Sequence, residues 1–347
     1  WEEGWFDYFW QPKSVSPEAG RELNSGVLLM IEPGIDDRTM WSDTPKRIQV
    51  SISNYGGEDI TGGQARWTLS AEGRALSSGV LTGVDAPVGS VKRIGGIVLE
   101  PLQLDRARKL ELVLETTVGK ARFTNRWNLW AFPRGNRAEP AEGAVVSDVR
   151  WAGIQRLYPT IQPAGERVEA SSLLITSKLD AKALQQLEAG GRVWLMAGRE
   201  QFEAGGDATF LPPSGGAQGT LLRNHPALEG FPHDGYCDLQ FFNLLEGAWN
   251  FPLDRWPQSI VPIAGGIRTT ASFLAKQKPL SKTGYVVELK VGKGRLLITT
   301  LRLRDHLDEA YPEALYLFDR LLRYATGPEF NPEAEITGDA LRRLPFR

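Results

Sequence analysis

The sequence predicts two domains in tandem, an all-β sandwich followed by an α/β domain, on three observations. Residues 26–133 hold a succession of short apolar or alternating runs separated by turn residues. Residues 134–145, RGNRAEPAEGAV, are polar and rich in Gly, Ala, Pro and Glu, which is the composition of a linker. Residues 146–327 then change rhythm, with strand-sized apolar runs on either side of a helical stretch. A chain of 347 residues is long enough to bury two separate cores.

The first ten residues, WEEGWFDYFW, hold six aromatics, and residues 1–25 form an aromatic segment that needs a surface to cover. That surface is either something upstream or the sandwich itself. The sandwich begins with the apolar run Val27-Leu28-Leu29-Met30-Ile31. Arg47 to Ser53 alternates with period two, and Asn54-Tyr55-Gly56-Gly57 supplies turn residues. Further strands are expected at Ala65–Leu69, Leu76–Leu81, Val91–Leu99, Leu110–Glu115 and Arg122–Phe132. Seven or eight strands at regular spacing point to an immunoglobulin-like sandwich.

In the second domain, Ser172–Thr176 and Val193–Ala197 read as buried strands. Between them Asp180 is placed to cap a helix through Glu188, which Gly190-Gly191 ends. Strand, helix and strand in so short a span make a parallel βαβ unit. Tyr285–Val291 and Arg295–Leu301 flank Gly292-Lys293-Gly294, a hairpin signature. A helix from Pro312 to Ala325 carries Leu315, Phe318, Leu321, Leu322 and Ala325 on one face. The tail, residues 328–347, is polar and expected to be poorly ordered.

Forty basic residues against forty-two acidic ones give a net charge of −2, with no basic cluster to suggest a nucleic-acid partner. The apolar runs are too short to span a bilayer, so no membrane partner is expected. One cysteine, Cys237, excludes an internal disulfide and leaves the compartment open. It lacks the following glycine of a Gly-x-Cys-x-Gly elbow and sits in a loop, so an ordinary cysteine is favoured over a nucleophile. His225 and His233 match no metal-ligand spacing, and no metal or cofactor is expected. His306 follows the last strong strand, where α/β folds place sites, although a solvated loop is the simpler reading. Glycine pairs without a following Lys-Ser/Thr make no phosphate loop.

The tryptophans say more. In a strand, Phe123, Asn125, Trp127 and Leu129 share one face while Trp130 and Phe132 take the other. One ring set must leave the sandwich core, to meet a sugar or a neighbouring domain. Trp5, Trp10, Trp127 and Trp130 are the candidate contact residues, and no catalytic residue is nominated.

Three segments then resemble the C-terminal region of bacterial glycoside hydrolase family 2-type, β-galactosidase-like proteins. They are Trp1-Glu2-Glu3-Gly4-Trp5, Asn125-x-Trp127-x-x-Trp130-x-x-Pro133 and His225-Pro226-Ala227-Leu228-x-Gly230-Phe231-Pro232. In that group a (β/α)₈ barrel is followed by an immunoglobulin-like sandwich. Many members then carry a flavodoxin-like, three-layer α/β domain similar to class I glutamine amidotransferases. The resemblance implies that the barrel, with its catalytic glutamates, precedes Trp1 in the same polypeptide, and the missing initiator Met fits a fragment. It implies a secreted or periplasmic setting and a bacterial glycosidase as parent. Neither the elbow nor a His-x-Glu pair is present, so the amidotransferase-like domain lacks its active site.

The leading expectation is therefore an accessory region that buttresses or oligomerises a glycosidase, with the upstream barrel as partner and a homo-oligomer in view. A carbohydrate-binding module with exposed tryptophans is the second reading. An amidotransferase-like hydrolase using Cys237 and His306 is the third.

Overall fold

The computed structural model describes residues 9–11, 16–32, 34–135, 137–149, 152–202, 206–207, 220–268, 281–344 and 346. The chain divides into two compact units, Trp1–Arg134 and Gly135–Arg347.

The first unit opens with helix α1, Pro17–Leu23, which the sequence reading did not anticipate. Its start is conventional: the Ser16 hydroxyl accepts from Ala19 N at 3.1 Å, and Pro17 takes the first turn, where no backbone donor is needed. Eight strands follow: β1 Val27–Glu32, β2 Thr39–Trp41, β3 Lys46–Asn54, β4 Ile60–Ala71, β5 Arg74–Ala86, β6 Ser90–Leu99, β7 Arg108–Val118 and β8 Ala121–Phe132. They form two sheets, β1-β3-β6 and β2-β8-β7-β4-β5, antiparallel except for β2 beside β8. Alternation places Ile48, Val50 and Ile52 of β3 and Leu110, Leu112 and Leu114 of β7 in one shared core. Each such side chain contributes about 1.5–3 kcal/mol by leaving water. Glu72 and Gly73, both at positive φ, make the two-residue turn that joins β4 to β5.

The second unit contains β9 Val145–Ser147, α2 Ala152–Leu157, β10 Gln162–Pro163, β11 Leu173–Thr176, α3 Ala181–Glu188, β12 Arg192–Met196, β13 Gly206–Asp207, β14 Leu221–Leu222, α4 Phe242–Leu245, β15 Trp249–Pro252, β16 Ala264–Arg268, β17 Ser281–Val291, β18 Gly294–Thr299, α5 Pro312–Thr326, β19 Glu335–Ile336 and α6 Gly338–Arg342. The sheet runs β10-β9-β11-β12-β18-β17-β15-β13. Its members from β10 to β18 are mutually parallel, and β17 returns antiparallel to β18.

Asp180 caps α3, accepting from Ala183 N at 3.0 Å, and Gly190 leaves the helix at φ +85°. Val193 and Leu195 of β12 pack with Ala183 and Leu187 of α3. Trp194, pointing the other way, lies 5.1 Å from the ring of Phe318 on α5. Helices therefore cover both faces of the sheet, and both faces of its central strands are apolar.

One expectation is corrected. The tail after Gly327 is folded rather than loose: Phe330, Ala334, Ile336, Leu341 and Leu344 are buried, and β19 extends the sheet beside β17. The stretch following Arg134 has linker composition, yet Ala138 is buried and its N–H donates to Asp319 of α5 at 3.1 Å. Arg137 adds an ion pair to Glu309. Among the described residues no helix is long and apolar enough to cross a membrane.

Candidate functional site

The three groups of residues that the sequence singles out for function occupy three different environments. The first is the Asn-x-Trp-x-x-Trp stretch of β8. Asn125 is buried, and its side-chain oxygen accepts from Leu29 N of β1 at 2.8 Å. Its amide donates to Glu22 O of α1 at 3.4 Å, and Arg126 next to it pairs with the Glu22 carboxylate. One side chain thus satisfies a strand donor and fastens the entering helix to the last strand. Removing it leaves Leu29 N without its partner in a buried place. Asn125→Ala is expected to cost about 1–3 kcal/mol, read as a fall in the urea midpoint of the sandwich.

Trp127 packs against the sandwich core. Trp130 lies on the opposite face of β8 from the core residue Leu129 and is fully buried, as is Phe132. A buried indole is closed to ring stacking on a sugar. Trp10 is 81% exposed, and Trp5 lies outside the described residues.

The second group is the segment His225–Pro232. His225 caps a short 3-10 turn, Pro226–Leu228, its Nδ1 accepting from Ala227 N at 3.2 Å. That bond leaves the ring proton on Nε2, which lies 3.3 Å from Glu288 Oε1 in the middle of β17. The other Glu288 oxygen accepts from the Tyr324 hydroxyl of α5 at 2.5 Å. The carboxylate is 8% exposed. Burial first, then the bond to Glu288, pushes the Tyr324 phenol far above its ordinary value, so it stays a donor. Gly230, at φ +73°, brings the chain against the Tyr324 helix near Tyr316, and Phe231 packs beside Phe241. Sequence reasoning named His225 but missed Glu288 and Tyr324. The available signal was a lone acid within the apolar run Tyr285–Leu289.

The third group is His306, and at the C-terminal end of β9 the structure adds Asp148, which sequence reasoning did not name. Asp148 follows β9 and accepts from the buried Thr176 hydroxyl at 2.7 Å. Partial burial raises its carboxyl above the ordinary value, the Thr176 bond opposing and Asp180 adding. His306 lies in the loop after β18, its ring 4.2 Å from that of Tyr311. Both its nitrogens are buried without a hydrogen-bond partner.

Burial, then Arg302, lowers the His306 pKa from the ordinary 6.5, with Asp305 opposing. The unfolded chain therefore takes up the proton first as pH falls below 6.5, and the folded state loses stability in that interval. His306→Phe removes two orphaned polar atoms together with this linkage. The variant is expected to match the parent in urea midpoint near neutral pH and to exceed it at pH ~5.5; an identical pH slope in the two proteins would contradict the assignment.

Cys237 precedes a 3-10 turn, Leu239–Phe241, and its N–H donates to Thr220 O at 2.8 Å. Burial pushes its thiol well above the ordinary value, the reverse of what a nucleophile needs. Among the described residues no group of three or more His, Cys, Asp or Glu side chains is placed to hold a metal. The structure thus gives His225, Glu288, Asp148 and Asn125 hydrogen-bond partners and His306 a packing one.

Comparison with known proteins follows the division of the chain. Residues 46–133 match a domain of unknown function, DUF8488, and residues 174–345 match another, DUF8487. No curated protein matches. Among solved structures, the chain is similar to the Parabacteroides merdae β-glucuronidase with glycerol in its active site, at 11% identity and a TM-score of 0.22, over 49% of this chain and 23% of that one. It is similar to a putative β-galactosidase from Bacteroides fragilis at 9% identity and a TM-score of 0.23, over 52% and 40%. A β-glucuronidase from glycoside hydrolase family 2 matches at 12% identity and a TM-score of 0.24, over 54% and 21%. The chain spans less than half the length of each of these proteins.

Proposed function

We propose that this chain is a non-catalytic, accessory region of a glycoside hydrolase of the family 2 type, serving to position and buttress a catalytic barrel upstream in the same polypeptide. The observation that carries the reading is the use of its motif residues. Asn125 fastens the entering helix to the last sandwich strand, and His225 fastens its own loop to β17 and α5. Both motifs hold chain segments to scaffolds, and neither presents a reactive atom to solvent.

The strand order β1-β3-β6 against β2-β8-β7-β4-β5 supports an immunoglobulin-like sandwich. The order β10-β9-β11-β12-β18, with helices on both faces, supports a flavodoxin-like domain of amidotransferase type without that chemistry. A raised thiol pKa at Cys237 weighs against a nucleophile there. A buried Trp130 and a core-packed Trp127 weigh against a sugar platform on β8.

The test compares this chain with the gene product that includes its preceding sequence, each assayed on aryl β-glycosides. The longer protein is expected to release the aryl alcohol and the chain alone to release none. Hydrolysis by residues 1–347 alone, or a preceding sequence that encodes no folded barrel, would overturn the proposal.

A further inference from the structure

Sheets keep their edges from pairing with other chains by short strands, charges, prolines and bulges. Three of the four described strands that end the sandwich sheets carry such a device. β2 is three residues long, and the Leu29 N–H of β1 is taken by Asn125. β6 presents exposed Lys92 and Arg93 beside a register shift between Arg93 and Gly95. The fourth, β5, runs thirteen residues with no charge and no proline between Arg74 and Asp85. Among the described residues it pairs with β4 alone, so one row of its backbone donors and acceptors faces water.

The middle of this open strand is regular, with Ser77 opposite Leu69 and Thr82 opposite Gln64. Its inward positions are fixed by the sandwich: the Trp67 ring lies 2.7 Å from where a methyl group on Gly79 would stand, and Leu81 packs against the core. Leu76, Ser78, Val80 and Thr82 alternate with these on the exposed face. Leu76 is 40% exposed and Val80 42%, and they stand two residues to either side of Ser78.

We propose that two copies of this chain join through β5, antiparallel about a two-fold axis at Ser78. Residues opposite each other across a ladder share a face, so a two-fold pairing of one strand with itself must centre on a residue. Centred on Ser78, it sets Leu76 of each copy opposite Val80 of the other, Arg74 opposite Thr82, and Ser78 opposite its own counterpart. The two exposed apolar side chains of one copy thereby meet those of the second, and the serines are placed to share a hydrogen bond. A centre on Gly79 would set Leu76 against Thr82 and Val80 against Ser78, apolar against polar. A centre on Val80 would set Leu76 against Val84, which is buried beyond Gly83 at φ +70°, where the register breaks. Self-complementarity at Ser78 is what makes a second copy the occupant. The pairing concerns the sandwich alone and stands whether or not a catalytic domain precedes it.

Sedimentation equilibrium of residues 1–347 is expected to show a reversible dimer with a Kd in the roughly micromolar to millimolar range, as suits a contact below standard interface size. Val80→Lys places a charge on the open edge. It is expected to keep the melting temperature of the dilute chain and to weaken the dimer roughly tenfold or more. In a Ser78→Cys chain the two added thiols face each other within disulfide reach, and diamide is expected to link them. The parent, whose one thiol is Cys237, and a Val80→Cys chain, whose added thiols stand about 13 Å apart along the ladder, are expected to link far more slowly. The cross-link decides the question even where Val80→Lys disturbs the fold. A chain that stays monomeric to about 1 mM, a dimer indifferent to Val80→Lys in a folded chain, or linkage through position 80 in preference to position 78 would each overturn the proposal.

Discussion

Glu288→Ala is expected to lower the unfolding free energy of the second unit by about 2–5 kcal/mol, the cost of leaving two buried donors without their acceptor at about 1–3 kcal/mol each. The residue is 8% exposed and answers two donors, His225 Nε2 at 3.3 Å and the Tyr324 hydroxyl at 2.5 Å. Its loss strands both inside the fold, where neither finds water. It also unties three elements at once, because β17 supplies the acid, α5 the phenol and the Pro226 turn the imidazole. Glu288→Gln keeps an acceptor for one donor and turns the other oxygen into an amide donor, so it should recover only part of the loss; Tyr324→Phe should cost about 0.5–3 kcal/mol, the range for a buried hydrogen bond. Urea midpoints of the variants decide the matter. A loss from Glu288→Ala of under about 1 kcal/mol, the size of an exposed pair, would mean that water reaches the carboxylate and that the network does not hold the fold.

Gly294→Ala should be nearly as damaging for a different reason. A methyl group there would lie 2.5 Å from Leu187 O and 2.6 Å from Leu187 Cα, the backbone of the last turn of α3. Backbone cannot rotate aside, so either the helix or the hairpin must move, at a cost of about 3 kcal/mol. Gly292, two residues earlier in the same turn, is the control. It sits at φ +57° with nothing within 4 Å of an added methyl, so Gly292→Ala meets only conformational strain, about 1 kcal/mol. The ranking of the two, measured by urea unfolding, separates close packing from backbone handedness. An equal cost would show that α3 does not rest on the hairpin.

The contrast between these neighbours shows what was legible in the sequence. Gly292-Lys293-Gly294 between two apolar runs announces a hairpin, and β17 and β18 form it. The helix that settles on the hairpin cannot be read from those residues, because the contact is made by distant chain. Period-two runs likewise revealed β3 and β7, and Asp180 with Gly190 bracketed α3. The three-residue strands β2 and β9 are too short to show a period, and they exist through pairing with β8 and β11.

The tail misled for a related reason. Phe330, Ile336, Leu341 and Leu344 stand among polar residues, so composition suggested disorder where Ile336, Leu341 and Leu344 join one core and Phe330 packs beside Tyr324. Candidate chemistry was less legible still. His225 carried a visible motif, but its partners stand on β17 and α5, and only the fold brings the three together. The histidine signal at His306 was positional, and what the structure adds is a ring with two unpartnered nitrogens against Tyr311.

The most direct measurement of the central claim, that this region supports chemistry done elsewhere, is kcat/KM on an aryl β-glycoside for the longer gene product carrying Cys237→Ser and His306→Phe together. The account predicts a value unchanged from the parent protein, since desolvation pushes the thiol pKa up and the imidazole nitrogens have no hydrogen-bond partner. A loss on the order of 10²–10⁴-fold with the fold intact, the scale of removing a general acid or base, would contradict it.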